Sequence, residues 1–235
     1  MDSESQVFEE LYIKVRNYEN RMSSVDELSI LPDLDKSHPN YREWRIRQRS
    51  SRRLITYLQK KNRALKILEI GCGNGWLCSK LAAIPGADVI GLDINQIEIE
   101  QAERVFNKPN LKFVKAAFEP ELFNPMKFDV ILFAASITYF KHLATIIQDC
   151  LSCLTEKGEI HIVDNHFYEP VKINDAVERM RVYYNTMGYP EMSAYYYHYS
   201  LTDLKPFNYR VLVNPQSFIN RLIKREPFYW VTITN

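Results

Sequence analysis

The sequence predicts an α/β fold built on a doubly wound, mainly parallel sheet. Short apolar runs alternate with amphipathic helical stretches between residues 66 and 164, the rhythm of βαβ units. Three of only seven glycines, Gly71, Gly73 and Gly75, fall inside five residues at the end of the first apolar run. The chain has 235 residues, 46% hydrophobic and 25% charged, the balance of an ordinary globular protein. That composition excludes a disordered chain, a coiled coil and a fibre.

The elements follow in order. Val7, Phe8, Leu11, Tyr12 and Val15 recur at helical spacing over residues 7–18. Residues 22–40 carry Pro32, Pro39 and a Ser23-Ser24 pair and read as an irregular connector. A second helix spans 41–60, with Trp44, Leu54, Ile55 and Leu58 toward the core. Strands are expected at 66–70, 88–93, 111–115, 128–133 and 159–164, with helices at 75–83, 95–106 and 140–154 between them. Gly158 reads as the stop of the last of these helices. The run 128–133 is very apolar, as a strand buried on both faces should be. Beyond Asp164 the rhythm breaks. An amphipathic helix over 172–187 leads into Tyr195-Tyr196-Tyr197-His198-Tyr199, and two further strands, 209–214 and 228–233, bring the total to seven.

The longest apolar stretch, Val130 to Phe140, is far short of the roughly 20 residues that cross a bilayer. The first residues, Met1-Asp2-Ser3-Glu4-Ser5, are polar and acidic, unlike a secretory signal. Four cysteines in a chain of this length make no disulfide framework, and Cys150 and Cys153 read as core residues on a helix. The expectation is a cytoplasmic, reduced protein with no membrane partner. The sequence leaves the oligomeric state open. A net charge of +1 gives no bulk attraction to nucleic acid, although ten basic residues stand against Glu43 alone between Tyr41 and Lys66.

The chemistry concentrates in Ile67-Leu68-Glu69-Ile70-Gly71-Cys72-Gly73-Asn74-Gly75-Trp76-Leu77. A strand running into a glycine turn and then a helix lets the backbone approach a ligand and offers it unpaired N–H groups. A dinucleotide fingerprint needs a glycine where Trp76 stands, and a phosphate loop needs a lysine next to Ser or Thr at its end; neither is present. Glu69 lies two residues before the first glycine, and Asp93 ends the next strand in Val89-Ile90-Gly91-Leu92-Asp93. A carboxylate at the turn would repel a pyrophosphate but suits an ammonium and a sulfonium, and one at the end of the second strand can hold ribose hydroxyls. Together they describe a cationic nucleoside ligand.

On these residues the chain resembles the class I S-adenosylmethionine-dependent methyltransferases, over about Leu65 to Asp164 plus the closing strand pair. The resemblance implies a Rossmann-like, seven-stranded sheet with an antiparallel C-terminal strand, N-terminal helices and a helical, aromatic lid. It implies one methyltransferase domain over 1–235, with a helical extension at 1–62 and a lid inserted at 165–208 between strands five and six. It implies S-adenosylmethionine as cofactor and S-adenosylhomocysteine as product. Glu69 would lie near the cofactor's amino group. Gly71, Cys72, Gly73, Asn74 and Gly75 would pass under its methionine and sugar, Asp93 would take the ribose, and Ile94, Ala117, Phe118 and Ala134 would line the remaining walls. Two departures stand out. Lys115-Ala116-Ala117-Phe118 carries no acid for the adenine amino group, and Phe133-Ala134-Ala135-Ser136-Ile137-Thr138-Tyr139 lacks the signature of enzymes that methylate base amino groups.

Methyl transfer from a sulfonium needs alignment and a dry site more than acid–base help. His166, just after the fifth strand, is the candidate base; His166, Tyr168, Tyr197 and His198 are the candidate acceptor-binding residues. Nine aromatics between His166 and Tyr199 suggest a lid over a small organic acceptor. Asp164-Asn165 resembles the metal pair of catechol-type enzymes, but Ala134, Ala135 and Ser136 stand where a further carboxylate is needed, so no metal is expected. The acceptor atom stays open among oxygen, nitrogen, carbon and sulfur. An RNA methyltransferase using the basic stretch 41–66, and a non-catalytic protein of the same fold, are the alternatives; nucleic acid is not the expected partner.

Overall fold

The computed structural model describes residues 3–223 and 226–235, so that Met1 and Asp2 of the polar opening stretch lie outside the described residues. Three helices come first: α1 (Ser3–Tyr18), α2 (Val25–Ile30) and α3 (Tyr41–Gln59). Then come β1 (Leu65–Ile70), α4 (Trp76–Leu81), β2 (Ala87–Asp93), α5 (Gln96–Val105), β3 (Leu111–Lys115) and β4 (Phe128–Ala134). The remainder is α6 (Leu143–Ser152), β5 (Leu154–Asn165), α7 (Ile173–Thr186), β6 (Asn208–Val213), α8 (Phe218–Ile223) and β7 (Tyr229–Thr234).

The seven strands form one sheet in the order β3-β2-β1-β4-β5-β7-β6. The first five are parallel, and β7 runs antiparallel between β5 and β6. The two strands β1 and β4, each mostly buried, are the central ones. Two apolar layers cover the sheet. Leu28 of α2, Leu54 and Leu58 of α3, and Leu77 and Leu81 of α4 pack on one face. Ile146, Ile147 and Cys150 of α6, with Phe123 and Leu204, pack on the other. A third cluster gathers Val15 of α1 with Tyr184 of α7 and Met192. All four cysteines are buried free thiols; Cys150 lies on α6, whereas Cys153 is the residue just past its end. Among the described residues no helix is long and apolar enough to cross a membrane.

Several boundaries depart from expectation. The connector 22–40 contains α2, because Ser24 and Glu27 form a reciprocal capping box: the Ser24 hydroxyl accepts from the Glu27 amide, and the Glu27 carboxylate accepts from the Ser24 amide. α6 begins at Leu143 rather than 140, since Ile137–Tyr139 forms a separate 3-10 turn and Phe140 is extended. Gly158 does not stop that helix. The chain enters β5 already at Leu154, pairs with Phe128, and shifts register before rejoining β4 at Glu159. Gly158 lies in this irregular stretch, where a Cβ would come within 2.9 Å of the Phe128 carbonyl. α8, in the link between β6 and β7, is a short helix that the sequence reading did not include.

Candidate functional site

The C-terminal ends of β1, β2, β4 and β5 open into one cavity of about 1530 Å³. Ligand pockets commonly enclose roughly 300–1,000 Å³, so this one exceeds the needs of a single nucleoside ligand. The glycine turn forms its floor. Gly71, Gly73 and Gly75 all have positive φ, at 72°, 51° and 73°. Gly71 sits so close to the next strand end that a Cβ would lie 2.5 Å from Ser136 Cβ. Ser136 in turn donates its hydroxyl to the Ile70 carbonyl at 2.6 Å, tying the end of β1 to that of β4. Gly71, Cys72, Gly73 and Asn74 line the cavity, but Gly75 does not. Gly75 is the left-handed cap of α4, and a side chain there would strike Phe113 and Ala102. Its glycine answers to packing rather than to the cavity.

Three carboxylates stand at this floor. Glu69 is 2% exposed and accepts from the Cys78 thiol at 2.9 Å. Burial pushes its carboxyl up to about 8. Asp93 fastens the turn by accepting from the Gly73 amide at 2.8 Å and the Asn95 amide at 2.9 Å, and burial raises its pKa as well. Glu98, in the first turn of α5, is pushed up to about 7 by burial, against the pull of Arg16 at 3.8 Å. The sequence reading passed over Glu98; its signal was an acidic residue one turn beyond the Asp93 strand end, inside a helix cap made by Asn95. Arg16 is the guanidinium that reaches Glu98, so this half of the cavity carries more negative than positive charge.

Ile94, Ala117, Phe118 and Ala134 all line the same cavity. At the far wall Ala135 and Asp164 both adopt positive φ, 59° and 56°, directly after β4 and near the end of β5. Non-glycine residues hold such conformations at a cost and concentrate at functional sites. Asp164 accepts from the Ser50 hydroxyl at 2.9 Å, which fixes α3 over the sheet edge. Burial raises the Asp164 pKa, partly offset by Arg47. Among the described residues no group of three or more His, Cys, Asp or Glu could hold a metal ion.

The roof is shared. The segment after β5 contributes Tyr184 of α7 with Tyr195 and Tyr196, but α1 contributes Phe8, Tyr12 and Arg16. Phe8 packs on Tyr139 and Tyr195, both at 5.4 Å between centroids, and Tyr12 meets Tyr139 edge-on at 5.7 Å. The Glu9 carboxylate also accepts from the Gln96 amide at the start of α5. The helix at 7–18 thus walls the site, a role not legible in its residues, because an apolar helix face reads the same whether it covers a core or a cavity. His166 and Tyr197 line the cavity; Tyr168 and His198 do not. His166 lies at the rim with its ring 4.7 Å from Phe228, and partial desolvation of the ring, together with Arg179, lowers its pKa. Tyr168 stands behind it, between His166 and His198.

Six of the ten basic residues in the stretch 41–66 have acidic partners. Arg47 bonds Glu43, Arg53 bonds Glu226 at 2.6 Å, Lys61 meets Glu159 at 2.8 Å and Arg63 meets Asp129 at 2.6 Å.

A family model described as a methyltransferase domain matches residues 61–199. A ubiquinone biosynthesis O-methyltransferase of Pelagibacter ubique is 31% identical over 99 residues, 42% of this chain and 41% of that protein. A tRNA U34 carboxymethyltransferase of Pseudomonas fluorescens is 25% identical over 173 residues, 69% of this chain and 52% of that protein. The chain therefore spans between two-fifths and about half of the length of these two relatives. The solved plantazolicin methyltransferase BpumL in complex with SAH superimposes with a TM-score of 0.58 at 17% identity, covering 99% of this chain and 98% of that one. At that identity the likeness is one of fold.

Proposed function

The chain belongs to the family of class I S-adenosylmethionine-dependent methyltransferases, and from that premise we propose that it binds S-adenosylmethionine at the glycine turn and methylates a small organic acceptor under the α1–α7 roof. The observation that carries this reading is the gathering of three carboxylates, buried Glu69 and Glu98 and half-buried Asp93, around a turn whose backbone lies open to the cavity. Buried carboxylates without full compensation are costly, and a ligand bearing both an ammonium and a sulfonium offsets them.

In this reading the residues divide the work. Glu69 stands by the ammonium, Asp93 accepts from the ribose hydroxyls, and Gly71, Cys72, Gly73 and Asn74 give the methionine part room. Ile94, Ala117 and Phe118 flank the adenine, and Ala134 leaves space beside the reacting centre. Gly75 holds the turn rather than the ligand. When bound, S-adenosylmethionine would supply a methyl carbon on sulfur that an acceptor lone pair attacks in line, the S–C bond breaking to release S-adenosylhomocysteine. The chain's own contribution is alignment and exclusion of water: Tyr12, Tyr139 and Tyr196 close the space above the strand ends, and held reactants react faster. His166, kept neutral by its surroundings, is able to take a proton from an acceptor at the rim. Tyr197 borders the acceptor space; Tyr168 and His198 support His166 from behind.

A cavity roofed by Phe8, Tyr12, Tyr139 and Tyr196 suits a small molecule better than a polyanion. Six of the ten basic residues that would grip an RNA backbone pair with Glu43, Glu226, Asp33, Glu159 and Asp129. Calorimetry with S-adenosylmethionine and S-adenosylhomocysteine, in buffer containing a chelator, tests the first half of the proposal. Binding of both is expected, and absence of heat on folded protein refutes it. Mass-spectrometric detection of methylated products from a panel of small quinols, carboxylic acids and amines, run beside transfer RNA, tests the second. Methylation of the RNA alone would overturn the small-acceptor reading.

A further inference from the structure

Arg16 enters the cavity from α1 as a buried cation with unfinished bonding. It lines the cavity, and its Nε is shielded from solvent with no hydrogen-bond partner among the described residues. The contact to Glu98, at 3.8 Å, is an ion pair too long to be a hydrogen bond. Tyr12 lies against the guanidinium at 5.9 Å. Beside it is a second such donor. Asn95 caps α5 with its carbonyl oxygen, accepting from the Glu98 amide, while its Nδ2 is buried without an acceptor. Buried donors are almost always satisfied in folded proteins. Two orphaned N–H donors flanking Glu98 on one cavity wall mark the place of an oxygen-bearing group of a ligand.

We propose that Arg16 is the receptor for the carboxylate of the cofactor's methionine end. This rests on the functional reading above and adds to it a residue outside the matched segment 61–199. The methionine end is a zwitterion. Glu69 answers its ammonium, yet nothing in the glycine turn answers its carboxylate, since the turn is bordered by acids. Arg16 is the guanidinium standing against the turn's acidic wall through Glu98, which packs under Gly73. A carboxylate there gains a planar, forked donor suited to two-point bonding. Because Arg16 rides on α1, the same contact fastens the roof when the cofactor is in place.

The test uses two ligands and two variants of the full chain. S-adenosylhomocysteine is compared with its decarboxylated analogue, which keeps the adenosine, the thioether and the ammonium. Wild-type protein is expected to prefer the carboxylate-bearing ligand by about 10-fold or more, the scale of a hydrogen bond to a charged group. Arg16→Gln is expected to weaken S-adenosylhomocysteine by a similar factor while leaving the decarboxylated analogue within about 2-fold. Arg16→Lys, which keeps the charge and the ion pair with Glu98 but not the fork, should lie between the two and guards against a folding defect in the first variant. An equal loss for both ligands would make Arg16 a structural partner of Glu98, and no loss for either would place its anion on the acceptor; each overturns the proposal while leaving the functional reading intact. Wild-type protein that binds neither ligand overturns both.

Discussion

Trp230 donates its indole N–H to Nδ1 of His161 at 3.0 Å, within the paired strands β5 and β7. The bond fixes the tautomer. Nδ1 must be bare, so the proton sits on Nε2, which donates to Glu159 at 3.0 Å. Lys61 and Tyr57 complete the cluster on Glu159. His161 is thus a satisfied core residue and stands apart from the cavity.

That cluster makes stability depend on pH. Burial holds the His161 pKa below its usual value. The unfolded chain takes up a proton near pH 6.5 that the folded chain refuses, so stability falls as pH drops below about 6.5. Glu159, held down to about 2 by His161 and Lys61 despite its burial, adds stability above its ordinary 4.5 that is lost as pH falls from there toward 2. Melting temperature should therefore decline from pH 7.5 to 5.5 by an amount that His161→Asn reduces. A flat profile for the native protein would contradict this.

Trp230→Phe leaves His161 Nδ1 buried without its donor. The expected cost is about 1–3 kcal/mol of unfolding free energy, measured by urea titration. An unchanged midpoint would mean that the indole N–H contributes nothing.

Gly71→Ala should cost more than an ordinary glycine replacement. It sets a Cβ 2.5 Å from Ser136 Cβ and forces a positive φ on alanine. A loss of about 1–3 kcal/mol and of S-adenosylhomocysteine binding is expected together. Retention of both in the variant would show that the β1–β4 junction gives way more easily than its packing suggests.

Asp93→Asn tests the ribose contact. The asparagine oxygen still accepts from one backbone amide, but its NH2 group then faces the other and the charge is gone. Ligand affinity is expected to fall by about 1.5–3 kcal/mol, with a modest drop in melting temperature from the one bond to the turn that is lost. Unaltered calorimetric affinity would remove Asp93 from the binding site.

Glu69 and Glu98, raised to about 8 and about 7 by burial, are partly protonated near neutral pH in the ligand-free protein. A cationic ligand favours their ionised forms, lowers both pKa values and drives protons off. Affinity for S-adenosylmethionine should rise between about pH 6 and 8 and level off above. Calorimetry in buffers of different ionisation heat should show proton release, larger than for S-adenosylhomocysteine, which lacks the sulfonium. Proton uptake would reverse the assignment.

How much was legible follows from where each signal lives. β3 was readable to the residue, and β1, β2 and β4 to within one, because short, predominantly apolar runs alternate with helical stretches there, and Val130–Ala134 in particular has no polar side chain. The turn was legible because glycine is scarce and three at positive φ cannot be substituted freely. α2 was written in Ser24 and Glu27 but hidden by the prolines on its far side. The reach of β5 back to Leu154 was illegible, since Leu154–Gly158 looks like the tail of a helix until Phe128 is seen to pair with it. The roles of Arg16 and Ser50 were illegible for a different reason: each acts on a residue remote in sequence, Glu98 and Asp164, and no local periodicity records such a pairing.

The placement of β7 between β5 and β6 has a consequence in time. β5 carries Asp164 and His166 at its tip, yet one of its edges finds its hydrogen-bonding neighbour only in Tyr229–Thr234, near the end of the sequence. The roof, likewise, joins Phe8 to Tyr195. Contacts so distant along the chain form late, after the loops between them have been closed at an entropic cost. The first four strands can therefore gather while the acceptor chamber is still missing a wall. A ligand that recognises only the finished chamber adds to the stability of the complete fold by mass action, and its binding becomes a readout of whether the last strand has slid home.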